Sequence, residues 1–399
     1  MAACTETLTD LASQLSGIAT SPASDAEKNA AAAGIAKQIL KTVRTPYPDW
    51  MEKAFANVEI TALRLCIDWG VFAAIPEQGT ISFSELAKQV KSETSLIRRI
   101  CWVPIASGVL RQYGTDQVGH TALSRQYLPG SPDGLLLSMV TSHFSFDEHM
   151  LPALKLPEYF IEYGRREPVT RLHTPHAYSH GQPDRDIWEI QKENPQRMKR
   201  FMAAMDVLQK FIPLVGMYDF SWVKSKLAED KDRVILVDVG GGKGHAIKAI
   251  LNENPFIPAG RVVLEDRDEI IEEVAALTEP ELKGVQLQVH DFHKPQPVQG
   301  ALIYWIRRCL HDYGDDVCVK MLTQLSDAMA SDSKVLISEM VMSNPPDPLA
   351  AMNDFGMLEI GGKERTADDW AELVARAGLK VEGIHGLDKK MQVIECIKA

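Results

Sequence analysis

The chain has 399 residues, 45% apolar and 24% charged, with a formal net charge of −11. Its length exceeds one compact core and predicts two or three domains of an ordinary globular protein. The acidic balance argues against an unassisted phosphate-binding surface, so no nucleic-acid partner is expected.

The N-terminus has neither the basic start nor the continuous apolar core of a signal peptide, and no apolar run approaches the ~20 residues that span a bilayer. No membrane association is therefore expected. Cysteines 4, 66, 101, 309, 318 and 396 form no CxxC pair, which suggests neither a zinc site nor a disulfide framework and fits a cytoplasmic location. Residues 1 to about 40 predict helix with a loose, Ala-rich linker around 20–33. From 55 to 128 come the apolar helix ALRLCIDWGVFAAI, the amphipathic SFSELAKQV with Ser82 and Ser84 as possible caps, and SLIRRICWVPIASGVL, a helix interrupted by Pro104. Turn residues at Gly114–Asp116, flanked by short strands, complete a winged-helix pattern. Between Asn57 and Leu128 seven Lys or Arg face six acids. That near-neutral surface favours a packing or dimerisation module over a DNA reader.

Residues 130–225 read as mainly helical. Phe144, Phe146, Met150, Phe201, Met202 and Met205 would form either a greasy pocket wall or ordinary helix core. In HTPHAYSH, His173, His176 and His180 have spacings that suit a metal face, but Pro175 argues for a loop and no acid or cysteine completes the set. A polar loop is favoured and no metal is expected. After residue 230 the period changes. VILVDVG, RVVLED, VQLQVHD, ALIYWI and KVLISEMV are strand-length apolar runs separated by helical stretches, predicting a parallel sheet with helices on both faces. A last helix ends at Gly378, and two closing strands follow.

VILVDVGGGKGH places Gly240, Gly241, Gly242 and Gly244 between a strand and a helix, where glycine permits close backbone approach and positive φ. His245 stands where a dinucleotide GxGxxG would need its third glycine, and Lys243 is followed by Gly244 rather than Ser or Thr, so neither phosphate motif fits. GxGxG preceded by Asp238 instead suits an adenosyl group with an amino-acid tail. The next strand ends in Glu265 and Asp266, acids that can accept from ribose hydroxyls. The third ends in Asp291 and Phe292, which can take the adenine amino group and pack the ring.

LVDVGGGKGH, LEDRDEII, HDF, YWIRRCLHDYGDD, ISEMVM and GGKERTADDW, in this order and spacing, resemble the class I methyltransferases, and more narrowly the plant caffeate-type and fungal small-molecule O-methyltransferases. The resemblance runs from about residue 57 to the C-terminus. It implies an α/β chain with a Rossmann-like, mostly parallel sheet carrying an antiparallel closing strand, in residues 171–399. An N-terminal α-helical winged-helix dimerisation domain in residues 1–170 would precede it and build a homodimer. It implies S-adenosylmethionine as cofactor, with Gly240 and Gly241 at its methionyl part, Asp266 at ribose, Asp291 and Phe292 around adenine, and the basic Arg307 nearby. His311 matches the catalytic base, and Glu339 and Glu364 the acids that orient it. Tyr313 stands where the family has Trp, and Glu265 rivals Asp266 for the ribose.

Methyl transfer from a sulfonium has an excellent leaving group, so the protein must align the reactants and remove a proton. A histidine of ordinary pKa ~6.5 can accept the proton of a phenol of pKa ~10 as the bond forms, and a carboxylate on its far nitrogen fixes the tautomer. Asp312 is expected to point away from the pocket, in a structural or capping role. The expected function is methylation of a phenolic or enolic hydroxyl of a small secondary metabolite. The alternatives are a pericyclase, or another non-methylating enzyme, using the same bound cofactor, and a winged-helix transcription factor with a vestigial enzyme domain. The presence of His311, Glu339 and Glu364 together speaks against the first alternative, and the near-neutral N-terminal region against the second.

Overall fold

The computed structural model describes residues 2–128, 130–131, 148–209 and 212–399; Phe144 and Phe146 lie outside them. Contacts divide the chain into two units, Met1–Gly134 and Leu135–Ala399. The boundary expected at 170/171 moves upstream for a packing reason. The helix Met150–Glu162 packs against Pro175–Ser179, which in turn packs against Pro348–Ile360, so these helices belong to the second unit.

In the first unit the expected linker is mostly helix. Ala2–Thr20 and Asp25–Val43 are separated by a short break, and Ser24 with Glu27 forms a reciprocal capping box that starts the second helix. The helices Pro46–Asp68, Phe83–Gln89 and Thr94–Ala106 enclose a core of Cys66, Phe72, Phe83, Leu86, Ile97 and Cys101. Ser82, rather than Ser84, caps the second of them, accepting from the Glu85 N–H at 3.1 Å. Pro104 does not interrupt the third. It lies in the last turn, where its missing N–H removes only one ladder bond. Strands β1 (Ile81–Ser82), β2 (Leu110–Tyr113) and β3 (Gln117–His120) form an antiparallel sheet in the order β1-β3-β2, the wing of the winged helix.

The second unit is built on seven strands. These are β4 (Leu236–Val239), β5 (Val262–Asp266), β6 (Gln286–Val289), β7 (Ile303–Arg307), β8 (Lys334–Glu339), β11 (Leu379–His385) and β12 (Gln392–Lys398), in the order β11-β12-β8-β7-β4-β5-β6. The five strands β8-β7-β4-β5-β6 are parallel, and β12 runs antiparallel to both β8 and β11. Helices cover both faces, which explains the near-continuous apolar runs of β4, β5, β7 and β8. Alternate side chains feed two cores: Tyr304 and Ile306 join Met321, Leu322 and Trp370, while Ile303 and Trp305 join Ile247, Ile250 and Leu264. Strand order departs in opposite directions from β4, toward β5 and toward β7. The crevice beyond their carboxyl ends is therefore the topological switch point, where such sheets bind ligands. A small parallel pair, β9 (Val341–Met342) with β10 (Arg365–Thr366), pins the segment carrying Glu364 beside the end of β8.

Candidate active site

The glycine loop follows β4. Gly240, Gly242 and Gly244 have φ of +69°, +57° and +72°, a region that side-chain-bearing residues rarely adopt. At Gly241 the constraint is space: a Cβ would lie 2.4 Å from Leu264 Cδ1 and 2.5 Å from Asp238 Oδ2. The Gly241 N–H donates to the Glu265 carbonyl at 3.0 Å, and the Gly242 N–H to Asp266 Oδ2 at 2.8 Å. Strand alternation then separates the two rival acids. Glu265 is fully buried and accepts from Gln296 Nε2 at 2.9 Å, whereas Asp266 sits at the loop. Burial drives the carboxyl of Asp238 up to about 7, against the opposing charge of Arg307. Asp291 caps a turn, accepting from the His293 N–H at 3.0 Å, and the Phe292 ring lies against Gly240. On Arg307, at the end of β7, Nε and Nη2 are buried without a protein partner.

His311 lies a few residues beyond β7, in a single 3-10 turn, Leu310–Asp312. Its ring is buried, and Nδ1 pairs with Glu364 Oε1 at 3.0 Å. Glu339, at the end of β8, serves the main chain of the same turn instead: its Oε1 accepts from the N–H groups of Cys309, Leu310 and His311 at 3.0, 3.1 and 3.4 Å. One side-chain donor atom from each of His311, Glu339 and Glu364 lies within 4.8 Å of the others. Asp312 does not point away as expected. Its Oδ1 is 3.4 Å from His311 Nε2, because neighbouring side chains in a 3-10 turn are about 120° apart and do not alternate across a sheet. Burial opposes charge on His311. The carboxylates of Glu339, Asp312 and Glu364 outweigh it, with Arg308 acting against them, and raise the imidazole pKa to about 9.

Three supporting residues escaped the sequence reading. Arg365 is fully buried; it pairs with Asp315 at 2.7 Å and donates to the carbonyls of Leu310 and Tyr313, bracing the His311 turn from behind. Its position inside GGKERT was the available signal. Asp354 accepts the Glu364 N–H at 3.0 Å. At Gly362 a Cβ would lie 2.2 Å from the His311 carbonyl oxygen.

The histidines of HTPHAYSH have separate hydrogen-bond partners, although the rings of His176 and His180 lie 4.5 Å apart. Pro175 does not enforce a loop: it occupies the first turn of the helix Pro175–Ser179, capped by Thr174. His176 is buried and pairs with Glu148 at 2.8 Å, and Arg197 engages the same carboxylate. This acid lies 28 residues upstream in sequence, beyond the reach of a local motif. His180 bonds the His176 carbonyl at 2.8 Å, and His173 is half exposed, 3.4 Å from Asp184. Phe201 packs edge-on against Trp188, as helix core does, while Met202 is exposed.

A parallel sheet with its strand order reversed at β4, a glycine loop tied to an acid on β5, and a carboxylate-held imidazole past β7 together define a Rossmann-like class I methyltransferase. Residues 163–380 match the O-methyltransferase domain family, and residues 51–130 the O-methyltransferase dimerisation domain. The chain belongs to this family and is an S-adenosylmethionine-dependent O-methyltransferase. It is 36% identical to the methyltransferase cfoD of Aspergillus candidus, over 92% of this chain and 91% of that one. OxaC, solved in complex with S-adenosylhomocysteine and oxaline, superposes with a TM-score of 0.82 at 23% identity, covering 99% of this chain and 100% of its own. A pericyclic reaction enzyme shares the fold with a TM-score of 0.77 at 22% identity, covering 99% and 100%. Among the described residues, no helix is long and apolar enough to cross a membrane.

Proposed function

We propose that the protein methylates a phenolic or enolic hydroxyl of a small secondary metabolite, with His311 as the base. The observation that carries this reading is the buried His311–Glu364 pair, placed past β7 beside the glycine loop. When bound, S-adenosylmethionine supplies an activated methyl on a cationic sulfonium, a charge that opposes protonation of a nearby imidazole. The residues present fit it. Gly240 and Gly241 leave room for the methionyl part, Arg307 offers buried donors, Asp266 stands at the loop for ribose, and Asp291 and Phe292 flank adenine. Glu364 holds His311 through Nδ1, so Nε2 is the atom that takes the acceptor's proton. Glu339 fixes the turn through three main-chain N–H groups. Incubation with a labelled methyl donor and a panel of phenols and polyketides tests the reading. Label should pass to oxygen. Conversion of an acceptor without label would favour a pericyclase, and no conversion of any acceptor would overturn the assignment.

Asp266→Ala should weaken S-adenosylmethionine binding by about tenfold, the scale of a lost charge-assisted hydrogen bond. Calorimetry showing unchanged affinity would remove Asp266 from the ribose site. For His311, NMR of the free enzyme should show a pKa of about 9 that falls when S-adenosylmethionine is added, and falls less with S-adenosylhomocysteine, whose sulfur carries no charge. The sign has a stability counterpart: the raised folded value adds stability below the ordinary histidine pKa, and that stability is lost as pH rises through about 9.

We also propose a homodimer, in agreement with the dimerisation-domain match. Tyr47, Trp50, Met51, Phe55 and Val58 expose an apolar stripe on one face of the helix Pro46–Asp68. Light scattering should give about twice the 44.3 kDa chain mass, and Phe55→Glu should shift it toward the monomer; a wild-type monomer would contradict the proposal. The free thiols of Cys66, Cys101, Cys318 and Cys396, all buried, support a reducing, cytoplasmic location.

A further inference from the structure

Arg308 follows β7, between Arg307 and Cys309, with φ +49°. An L residue in left-handed backbone is held there by its surroundings, and such positions cluster at functional sites. The holding contact is visible: the Arg308 N–H donates to the Ser338 carbonyl at 3.1 Å, tying it to the strand that ends in Glu339. Arg308 is half-buried, and among the described residues its guanidinium has no carboxylate or carbonyl partner. Several other arginines of this unit are engaged, Arg171 with Asp186, Arg197 with Glu148, Arg233 with Asp332 and Arg365 with Asp315, although Arg307 also has buried donors without a protein partner. The two consecutive cations overlap at Glu339 but otherwise act on different groups. Arg307 is felt by Asp238, under the glycine loop. Arg308 is felt by His311, Asp312, Glu339 and Glu364. The charged groups around the imidazole are therefore Asp312 from its own turn, Glu339 from the end of β8, Glu364 from the segment before β10, and Arg308 itself.

We propose that Arg308 receives the acceptor as an oxyanion, which makes the acceptor an acidic enol, or a phenol with a neighbouring carbonyl. This rests on the methyltransferase reading above and names its substrate class. A half-buried arginine with an unpaired guanidinium, three residues before a proton-accepting imidazole and on a segment tied to β8, stabilises the charge left on oxygen when His311 takes the proton. Its planar fork matches a negative charge shared over two neighbouring oxygens better than one on an isolated alkoxide. Simple aliphatic alcohols should therefore be poor acceptors.

The test is binding of salicylaldehyde, whose neutral and anionic forms absorb at different wavelengths, to the enzyme saturated with S-adenosylhomocysteine. The bound probe should ionise at a proton concentration about tenfold higher than in free solution. Arg308→Gln should weaken anion binding roughly tenfold or more and return the ionisation to its free-solution position. Arg308→Gly, which suits the left-handed backbone and so spares the loop, should do the same. Three results would overturn the proposal: a probe bound in its neutral form, equal affinity in all three proteins, or no binding to the wild type. Calorimetry with S-adenosylmethionine, run alongside, separates the two readings. Failure of wild type to bind it would sink the methyltransferase assignment itself, whereas normal cofactor binding with a neutral probe sinks only the role of Arg308.

Discussion

His311→Ala should lower methyl transfer by about 10³-fold, within the range that a positioned base contributes, while S-adenosylmethionine binds as in the wild type. The expectation follows from a separation of parts. The glycine loop is tied to β5 through Glu265 and Asp266, and among the described residues none of its hydrogen bonds reaches the imidazole, so removing the ring leaves the cofactor side intact. The ring is buried against Glu364. Its loss leaves that carboxylate without its partner, and some loss of stability should accompany the loss of rate. Calorimetry and single-turnover kinetics on one preparation check both halves. A variant that methylates normally would remove His311 from the base role, and one that fails to bind cofactor would show that the two sides are not separate.

Gly362→Ala should be nearly as damaging, although Gly362 has no side chain to contribute. The added carbon would lie 2.2 Å from the His311 carbonyl oxygen and 2.9 Å from the Asp312 carbonyl carbon. Both are backbone atoms and cannot swing aside. The flanking bonds leave little slack, because the Lys363 N–H donates to that same His311 carbonyl at 2.8 Å and the Gly362 N–H to Met357 O at 2.8 Å. The turn must shift, and a displacement of about 1 Å at a reacting group costs about 10²-fold in rate. Overpacking of this kind costs roughly 1–3 kcal/mol of stability. The measurement is kcat together with thermal midpoint and cofactor affinity. A large fall in kcat with cofactor affinity retained is expected, and an unchanged kcat would mean that the 361–364 segment is not what sets the imidazole.

Much of this arrangement could be read from residues alone, for a physical reason. Strands buried on both faces must be apolar throughout, so β4, β5, β7 and β8 stand out, and a loop that allows no Cβ must be glycine, as at Gly241. His311 and Glu364 were legible because each sits in a dense local motif. What was missed depends on contacts distant in sequence or on exceptions to local rules. Glu148 meets His176 across 28 residues, and Arg365 braces a turn 55 residues before it through the Leu310 carbonyl. Pro175 breaks a helix interior but starts a helix equally well, and Pro104 is tolerated in a final turn. The assumption that Asp312 points away from His311 holds for a strand and fails for the 3-10 turn that occurs.

The buried guanidinium of Arg365 has a wider meaning for how the enzyme would run. Its clamp on the carbonyls of Leu310 and Tyr313, and its pairing with Asp315, use only this chain's own atoms. The proposed base therefore sits on a mount that the fold itself supplies. Sequence drift in the surrounding helices can then retune what is admitted without retooling that mount.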